Sequence, residues 1–225
     1  MTQDDAKRAA ARAALAYLPE SGLVGLGTGS TAKHFIDGVA ELVRSGRSLV
    51  GVPTSEQSRA QAESLGIPLA SPEGPWEIEL CVDGADEVSD ALDLIKGGGG
   101  AQTREKIVNA ASRLNVIVVD ESKLSSQLGS RWPVPVEVLA FGHRATARAL
   151  SRWGEARLRL RDGAPWLTDA GNYLYDVHVG TIETPSRLDS EIRAIPGVVE
   201  TGLFCARADV VLVATASGVR ELRRP

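Results

Sequence analysis

Leu23-Val24-Gly25-Leu26 runs directly into Gly27-Thr28-Gly29-Ser30-Thr31-Ala32, and a helical stripe follows. The first four residues form a short apolar run of the kind a buried strand shows. From 31 to about 45, Phe35, Ile36, Val39, Leu42 and Val43 recur at helical spacing, and Gly46 suits a C-terminal stop. Strand, glycine turn and helix in this order open a βαβ unit.

The N-terminal half repeats that order. An Ala-rich helix is expected over 3–18 and strands over 48–53 and 78–82. Thr54-Ser55-Glu56-Gln57 fits a capping box opening a helix that ends near Gly66. A helix over 103–113 leads into Leu114-Asn115-Val116-Ile117-Val118-Val119, β-branched throughout its second half. Alternating strands and helices of these lengths imply an α/β domain with a mostly parallel sheet. Ligands of such sheets sit beyond the carboxyl ends of the strands. Residues 27–31, 54–55, 83–86 and 120–123 all follow strands, so four loops should meet at one edge.

The character changes after Gly129. Pro133 and Pro135 break the pattern, and 141–153 resembles a helix. An alternating strand over 156–161 comes next, then a hairpin turn at Asp169-Ala170-Gly171-Asn172 between 166–167 and 173–179. A helix over 186–194 ends at Pro196-Gly197, and a strand is expected over 198–204. This is a small α+β unit. The apolar run 209–214 reads as a buried strand that rejoins the first sheet.

Composition sets limits without choosing a function. With 225 residues, 43% hydrophobic and 24% charged, the chain has ordinary globular proportions. A net charge of −4 argues against nucleic acid as the main partner. The N-terminal MTQDDAKRAA has acids and no apolar core segment, so it does not read as a secretory signal. No apolar run approaches the ~20 residues of a membrane span. A soluble cytoplasmic protein is expected, with Cys81 and Cys205 as buried thiols. His34, His143 and His178 are scattered and read as structural, without metal-ligand spacing.

The loop at 27–32 fits three readings when taken alone. It can be a structural turn, it matches the G-x-G-x-x-A form of the dinucleotide fingerprint, and it can hold a phosphate. The dinucleotide reading needs an acid near the end of the second strand, where Val52-Pro53-Thr54-Ser55 stands instead. Hydroxyls of Thr28, Ser30 and Thr31 at a positive helix end suit a phosphate cradle. Further on, Asp83-Gly84-Ala85-Asp86-Glu87 precedes Lys96-Gly97-Gly98-Gly99-Gly100-Ala101-Gln102-Thr103-Arg104-Glu105-Lys106. The acids could be no more than a capped turn, and Glu105 no more than a first-turn carboxylate favoured by the helix dipole. Their combination at one sheet edge points to proton transfer on a small anionic substrate.

These motifs resemble the ribose-5-phosphate isomerases of the A type. The resemblance runs nearly end to end, through Gly25 to Ala32, Val82 to Glu87, Lys96 to Ala101 and Thr103-Arg104-Glu105-Lys106. It continues in Asp120-Glu121-Ser122-Lys123, Pro133-Val134-Pro135-Val136-Glu137-Val138, Gly171-Asn172-Tyr173 and Pro196-Gly197-Val198-Val199. It implies interconversion of ribose 5-phosphate and ribulose 5-phosphate through an enediolate, in the non-oxidative pentose phosphate pathway, without metal or organic cofactor. Glu105 matches the general base. Lys96, with the amides of Gly97, Gly98 and Gly99, matches the group that stabilises developing oxyanion charge. Asp83 and Asp86 match carboxylates that bind sugar hydroxyls, assist ring opening and shuttle protons, with Gly84 and Ala85 between them. Thr28, Gly29, Ser30 and Thr31 match a substrate-binding loop, Lys123 a further substrate contact and Lys7 a lysine near the phosphate. A Glu at a helix start between Arg104 and Lys106 should stay ionised at neutral pH.

The resemblance also implies a doubly wound α/β domain, 1–130 with 206–225, and an inserted ferredoxin-like domain, 131–205, that contributes contacts in a dimer or tetramer. Two departures stand out. Gln102 occupies a position that is apolar in the family pattern, and the segment 202–209 is shorter than in some members. Rival readings are a CoA transferase, an aminosugar-phosphate deaminase and a non-catalytic sugar-phosphate sensor. A deaminase should carry a histidine in its catalytic loop, and no histidine lies near the acidic motifs. A sensor should carry a DNA-binding helix pair or have lost the base, and the chain shows neither.

Overall fold

The computed structural model describes residues 3–224, which divide into two compact units. The first comprises Met1–Ala85, Arg104–Lys123 and Arg207–Pro225. Its six strands are β1 (Ser21–Leu26), β2 (Ser48–Pro53), β3 (Ile78–Asp83), β4 (Ser112–Asp120), β5 (Val210–Thr215) and β6 (Gly218–Arg223). They lie in the order β6-β5-β4-β3-β1-β2, parallel throughout except for the antiparallel β5–β6 hairpin. The run 209–214 rejoins the first sheet as β5, as its apolar character predicts.

The helices of this unit are α1 (Gln3–Ala14), α2 (Ser30–Arg44), α3 (Glu56–Ser64) and α4 (Gln102–Ala110), the last belonging here from Arg104 onward. Alternate residues of the central strands face opposite helix layers, as the pleat requires. Leu80, Val82, Val116 and Val118 pack with Phe35 and Val39 of α2 and Ala10 and Ala14 of α1. Cys81 points the other way, onto Val108 of α4. Strands covered on both faces read as continuous apolar runs, which is why they stand out in the sequence. The fold is a doubly wound α/β sheet.

The second unit comprises Asp86–Thr103 and Leu124–Ala206. Its strands Val134–Val138, Glu155–Leu158, Tyr173–His178 and Val198–Thr201, with helices His143–Leu150 and Pro185–Arg193, follow the chain order βαββαβ. Numbered in that order, the antiparallel sheet runs 4-1-3-2, the ferredoxin-like arrangement. Val134, Val136, Val138, Leu150, Val177 and Ile192 make its core.

The division differs from the expected 131–205. Asp86–Thr103 groups with the second unit because Glu87–Ser89 and Leu94–Ile95 pair with Leu124–Ser125 and Leu203–Phe204 in a small four-stranded sheet.

Local corrections have local causes. Ser55 rather than Thr54 caps α3, and its box partner is Ser58 rather than Gln57. Two prolines hide the strand Val134–Val138, yet Pro135 sits opposite Asp176 on one side and lies beyond the end of Val198–Thr201 on the other. Its carbonyl accepts from Gly202 N at 2.7 Å. The strand expected over 198–204 breaks at Gly202, where a β-carbon would stand 2.1 Å from the Lys96 carbonyl oxygen. Its end, Leu203–Phe204, pairs with Leu94–Ile95 instead. The turn at 169–172 forms, but it is closed by a single bridge between Leu167 and Tyr173. Cys81 is buried and Cys205 only half-buried.

Gln102 is the first residue of α4. Its side chain is fully buried, and neither polar atom of the amide has a hydrogen-bond partner among the described residues. Burying such an amide costs ~1–3 kcal/mol. Gln102→Met keeps the length and removes the penalty, so the melting temperature should rise by about 2–4 °C per kcal/mol recovered. A lower melting temperature in a thermal scan would show instead that the amide is satisfied.

Candidate active site

Parallel order brings the carboxyl ends of β2, β1, β3 and β4 to one edge of the first unit's sheet. Residues 27–31, 54–55, 83–85 and 121–123 continue from them there. At β1 the chain leaves the sheet at Gly27, whose amide donates to the Val82 carbonyl at 3.0 Å. A β-carbon on Gly27 would lie 2.4 Å from Asp83 Oδ1 and 2.5 Å from the Val82 oxygen. Only glycine fits between the two strand ends. The Asp83 carboxylate fills that space and is nearly fully buried. Its Oδ1 accepts from the Thr28 amide at 2.9 Å and the Gly84 amide at 2.7 Å.

Gly29, at φ +102°, is the N-cap of α2 and supplies no capping side chain. The first-turn amides of a 15-residue helix therefore sit behind the hydroxyls of Thr28, Ser30 and Thr31, with the positive dipole end toward the loop. The Thr28 hydroxyl lies 2.7 Å from Thr54 Oγ1 and donates to Ser55 Oγ at 2.8 Å. Thr54 and Ser55, both buried, thus fix the rotamer of Thr28.

Glu105 stands on the first turn of α4 and is 5% exposed. Its neighbour Arg104 donates to Glu56 Oε1 of α3 at 2.6 Å, and this bond holds the Glu56 carboxyl below its usual range. Arg104 thus ties the first turn of α4 to α3. Asn109, one turn beyond Glu105, donates to the Arg207 carbonyl at 3.1 Å and ties α4 to the chain entering β5. Lys123 is half-buried in the 3-10 turn Glu121–Lys123 after β4. Lys7 is half-buried on α1, the helix packed against α2.

The second unit holds the remaining candidates. Lys96 is 3% exposed; its amide donates to the Gly202 carbonyl at 2.8 Å, and its Nζ stands 5.5 Å from the centroid of the Phe204 ring. Asp86 Oδ2 accepts from the Gly98 amide at 2.7 Å. A β-carbon on Gly98 would lie 2.7 Å from Asp86 Oδ1, and Gly97 adopts φ +109° against the Pro135 ring.

Sequence reasoning named Glu137 only within a motif. It is 1% exposed, and its carboxylate accepts from the hydroxyls of Thr103 and Thr168 and the Asn172 amide. A buried carboxylate is tolerable when its lone pairs are filled in this way. It fixes Thr103 on the first turn of α4. The signal was the Gly171-Asn172 turn, which read only as a hairpin.

The histidines stand on helices and a strand: His34 meets Asp4 at 3.1 Å, His143 meets the Tyr175 hydroxyl at 2.7 Å, and His178 is exposed on a strand. No described helix is long and apolar enough to cross a membrane. Among the described residues, no group of three or more His, Cys, Asp or Glu side chains is placed to hold a metal ion.

Gly27→Ala tests the packing at Asp83. The added methyl cannot move away from backbone on two sides, so a stability loss of roughly 1–3 kcal/mol is expected. Displacing Asp83 would also loosen its bonds to the Thr28 and Gly84 amides. A wild-type melting temperature would show that the strand ends separate freely.

Comparison with known proteins agrees over the whole chain. Residues 50–218 match the family model for ribose 5-phosphate isomerase A (phosphoriboisomerase A). The ribose-5-phosphate isomerase A of Nitrobacter hamburgensis is 47% identical over 232 residues, covering all of both chains. The solved ribose 5-phosphate isomerase A of Methanocaldococcus jannaschii superimposes with a TM-score of 0.94 at 41% identity, over 99% of this chain and all of that one. A D-ribose-5-phosphate isomerase in complex with phospho-erythronic acid gives a TM-score of 0.96 at 39% identity, over all of both chains. The chain belongs to the ribose 5-phosphate isomerase A family.

Proposed function

We propose that the chain interconverts D-ribose 5-phosphate and D-ribulose 5-phosphate, with Glu105 as the base that moves the proton. The observation that carries the role of Glu105 is its burial on the first turn of α4, at the family's general-base position. The chain is an aldose–ketose isomerase. In the forward direction the open-chain aldose loses its C2 proton to the Glu105 carboxylate, and the C2–H electron pair becomes the enediolate double bond while O1 takes the charge. Glu105 then returns the proton to C1, which takes it on the C1–C2 double-bond pair, while the O2–H pair forms the C2 carbonyl and the O2 proton passes to O1, leaving the neutral ketose. The reaction is redox-neutral overall and consumes no co-reactant.

A proton on carbon beside a carbonyl is weakly acidic, so stabilisation of the developing charge decides the rate. Lys96 and the amides of the Gly97–Gly99 run take that role. Asp83 and Asp86 hold sugar hydroxyls and pass protons during ring opening. The uncapped first turn of α2, with Thr28, Gly29, Ser30 and Thr31, receives the phosphate, helped by Lys123 and Lys7. The support for the phosphate end is the helix terminus itself, where amides and dipole favour an anion.

The chain acts in the cytoplasm as a homo-oligomer through its second unit. Phe141, Leu139, Leu160 and Leu167 of that unit are exposed, Phe141 at 96%. Phe141 is the most exposed of them, so its burial against a second copy would remove the most apolar surface from water. Phe141→Asp should lower the mass measured by sedimentation while the fold persists, and an unchanged mass places the contact elsewhere.

Proton NMR of ribose 5-phosphate in deuterated water with a chelator tests the chemistry. Ketose should form with deuterium entering at the abstracted position, and Glu105→Gln should slow this by roughly 10²–10⁴-fold. Undiminished turnover in Glu105→Gln would remove the base assignment, and loss of turnover on chelation would reveal a metal requirement.

A further inference from the structure

Four glycines in a row have no side chains by which the fold can orient them. Only their peptide groups offer a hold. In the second unit, that hold comes from Arg159. Its guanidinium is 12% exposed and donates through Nη1 to the carbonyl oxygens of Gly97 at 2.7 Å and Gly98 at 3.2 Å. Its other edge is committed to Asp176, with Nε donating to Oδ2 at 2.9 Å and Nη2 to Oδ1. The backbone of Arg159 is pinned as well. Its amide donates to the Leu174 carbonyl at 2.8 Å, and its carbonyl accepts from Trp166 at 3.0 Å. The Trp166 ring covers the guanidinium at 5.3 Å.

In a trans peptide the C=O and the following N–H point in opposite directions. Holding the Gly97 carbonyl therefore aims the Gly98 amide away from Arg159, and that amide meets Asp86 Oδ2. Holding the Gly98 carbonyl aims the Gly99 amide away in the same manner. A cation on a carbonyl also polarises the peptide and strengthens its N–H as a donor. A second bond onto the Gly97 carbonyl, from the Gly100 amide at 3.0 Å, closes the turn.

We propose that the Arg159–Asp176 pair is a positioning element for this isomerase, presetting and polarising the Gly98 and Gly99 amides. Asp86 is aligned through the first and oxyanion charge stabilised through the second. The proposal rests on the reading that Lys96 and the glycine run face the developing enediolate. Arg159 reaches no substrate atom in this scheme; it acts through the peptides. The planar fork is required because one side chain must grip a carboxylate with two donors and two carbonyls with a third.

The test compares Arg159→Ala, Arg159→Lys, Asp176→Asn and Lys96→Met in the full chain, with folding checked by circular dichroism. For the Arg159 variants, kcat should fall about 10²-fold, near the effect of losing one oxyanion donor, while KM for ribose 5-phosphate stays within about threefold. Affinity for phospho-erythronic acid should drop in parallel. Added guanidinium ion should restore part of kcat in Arg159→Ala and none in Lys96→Met. Should Arg159→Ala fail to fold, Asp176→Asn keeps the guanidinium and should give an intermediate loss of kcat with the same unchanged KM. Wild-type kcat in a folded Arg159 variant, or a rise in KM with kcat unchanged, would overturn the proposal. If Lys96→Met is itself unimpaired, the oxyanion reading falls; if Lys96→Met is impaired and both Arg159 and Asp176 variants are not, only the positioning role falls.

Discussion

The Asp83 carboxylate accepts amide hydrogens from Thr28 and from Gly84, and Gly27 leaves the room for it to do so. One oxygen thus binds the exits of β1 and β3. Hydrogen bonds to a charged acceptor contribute ~1.5–3 kcal/mol each, about twice the neutral value. An interaction of that strength at the junction of two loops sets the course of both. The start of α2 inherits its direction from Gly27, and the chain after Gly84 leaves the strand at a set angle. The register of β1 on β3, with Leu26 opposite Val82, puts Gly27 beside Asp83 in the first place.

Polar groups in the second unit obey the same accounting. Glu87 is fully buried and accepts from the Gly129 amide at 2.9 Å and the Ser130 hydroxyl at 3.0 Å. Glu137 is filled by two hydroxyls and an amide. Each carboxylate fastens a loop that has little apolar surface of its own. Fixing backbone costs ~1–2 kcal/mol per residue in conformational entropy, and glycine loses the most. A run such as Gly97–Gly100 cannot recover that through side-chain packing. Its order comes from bonds made to its peptides by Arg159, Asp86 and neighbouring backbone.

The doubly wound sheet was legible because its signals are local and redundant. The strand run 114–119 needs no partner to be recognised, and α2 declares itself by spacing alone. Shared position at the carboxyl ends then results from parallel order. The strand Val134–Val138 was not legible, because Pro135 is acceptable only in a register that depends on Asp176 and Gly202, both far along the chain. The roles of Glu137, Arg159 and Asp176 share this dependence. An Arg in an alternating strand reads as a solvated face until the carbonyls it meets, about sixty positions away, are known. The loops at the sheet's carboxyl edge could be placed from the sequence, whereas the residues that hold the loops in place could not.

The glycine loop after β1 resembles a dinucleotide fingerprint, and Thr54 explains why the likeness stops there. In that fingerprint an acid at the end of the second strand reaches ribose hydroxyls across open space beside the loop. Here the end of β2 folds back on the loop. The Thr54 amide donates to the Leu26 carbonyl at 3.0 Å, its hydroxyl meets the Thr28 hydroxyl at 2.7 Å, and Ser55 caps α3 immediately after. The hydroxyls of Thr54 and Ser55 at that strand end are buried and turned onto Thr28. The first turn of α2 has no side-chain cap, and the Thr28 hydroxyl beside it is held by the end of β2 and by Ser55. A strand end that carries hydroxyls instead of an acid thus offers no carboxylate to ribose hydroxyls, and its side chains bind the loop instead.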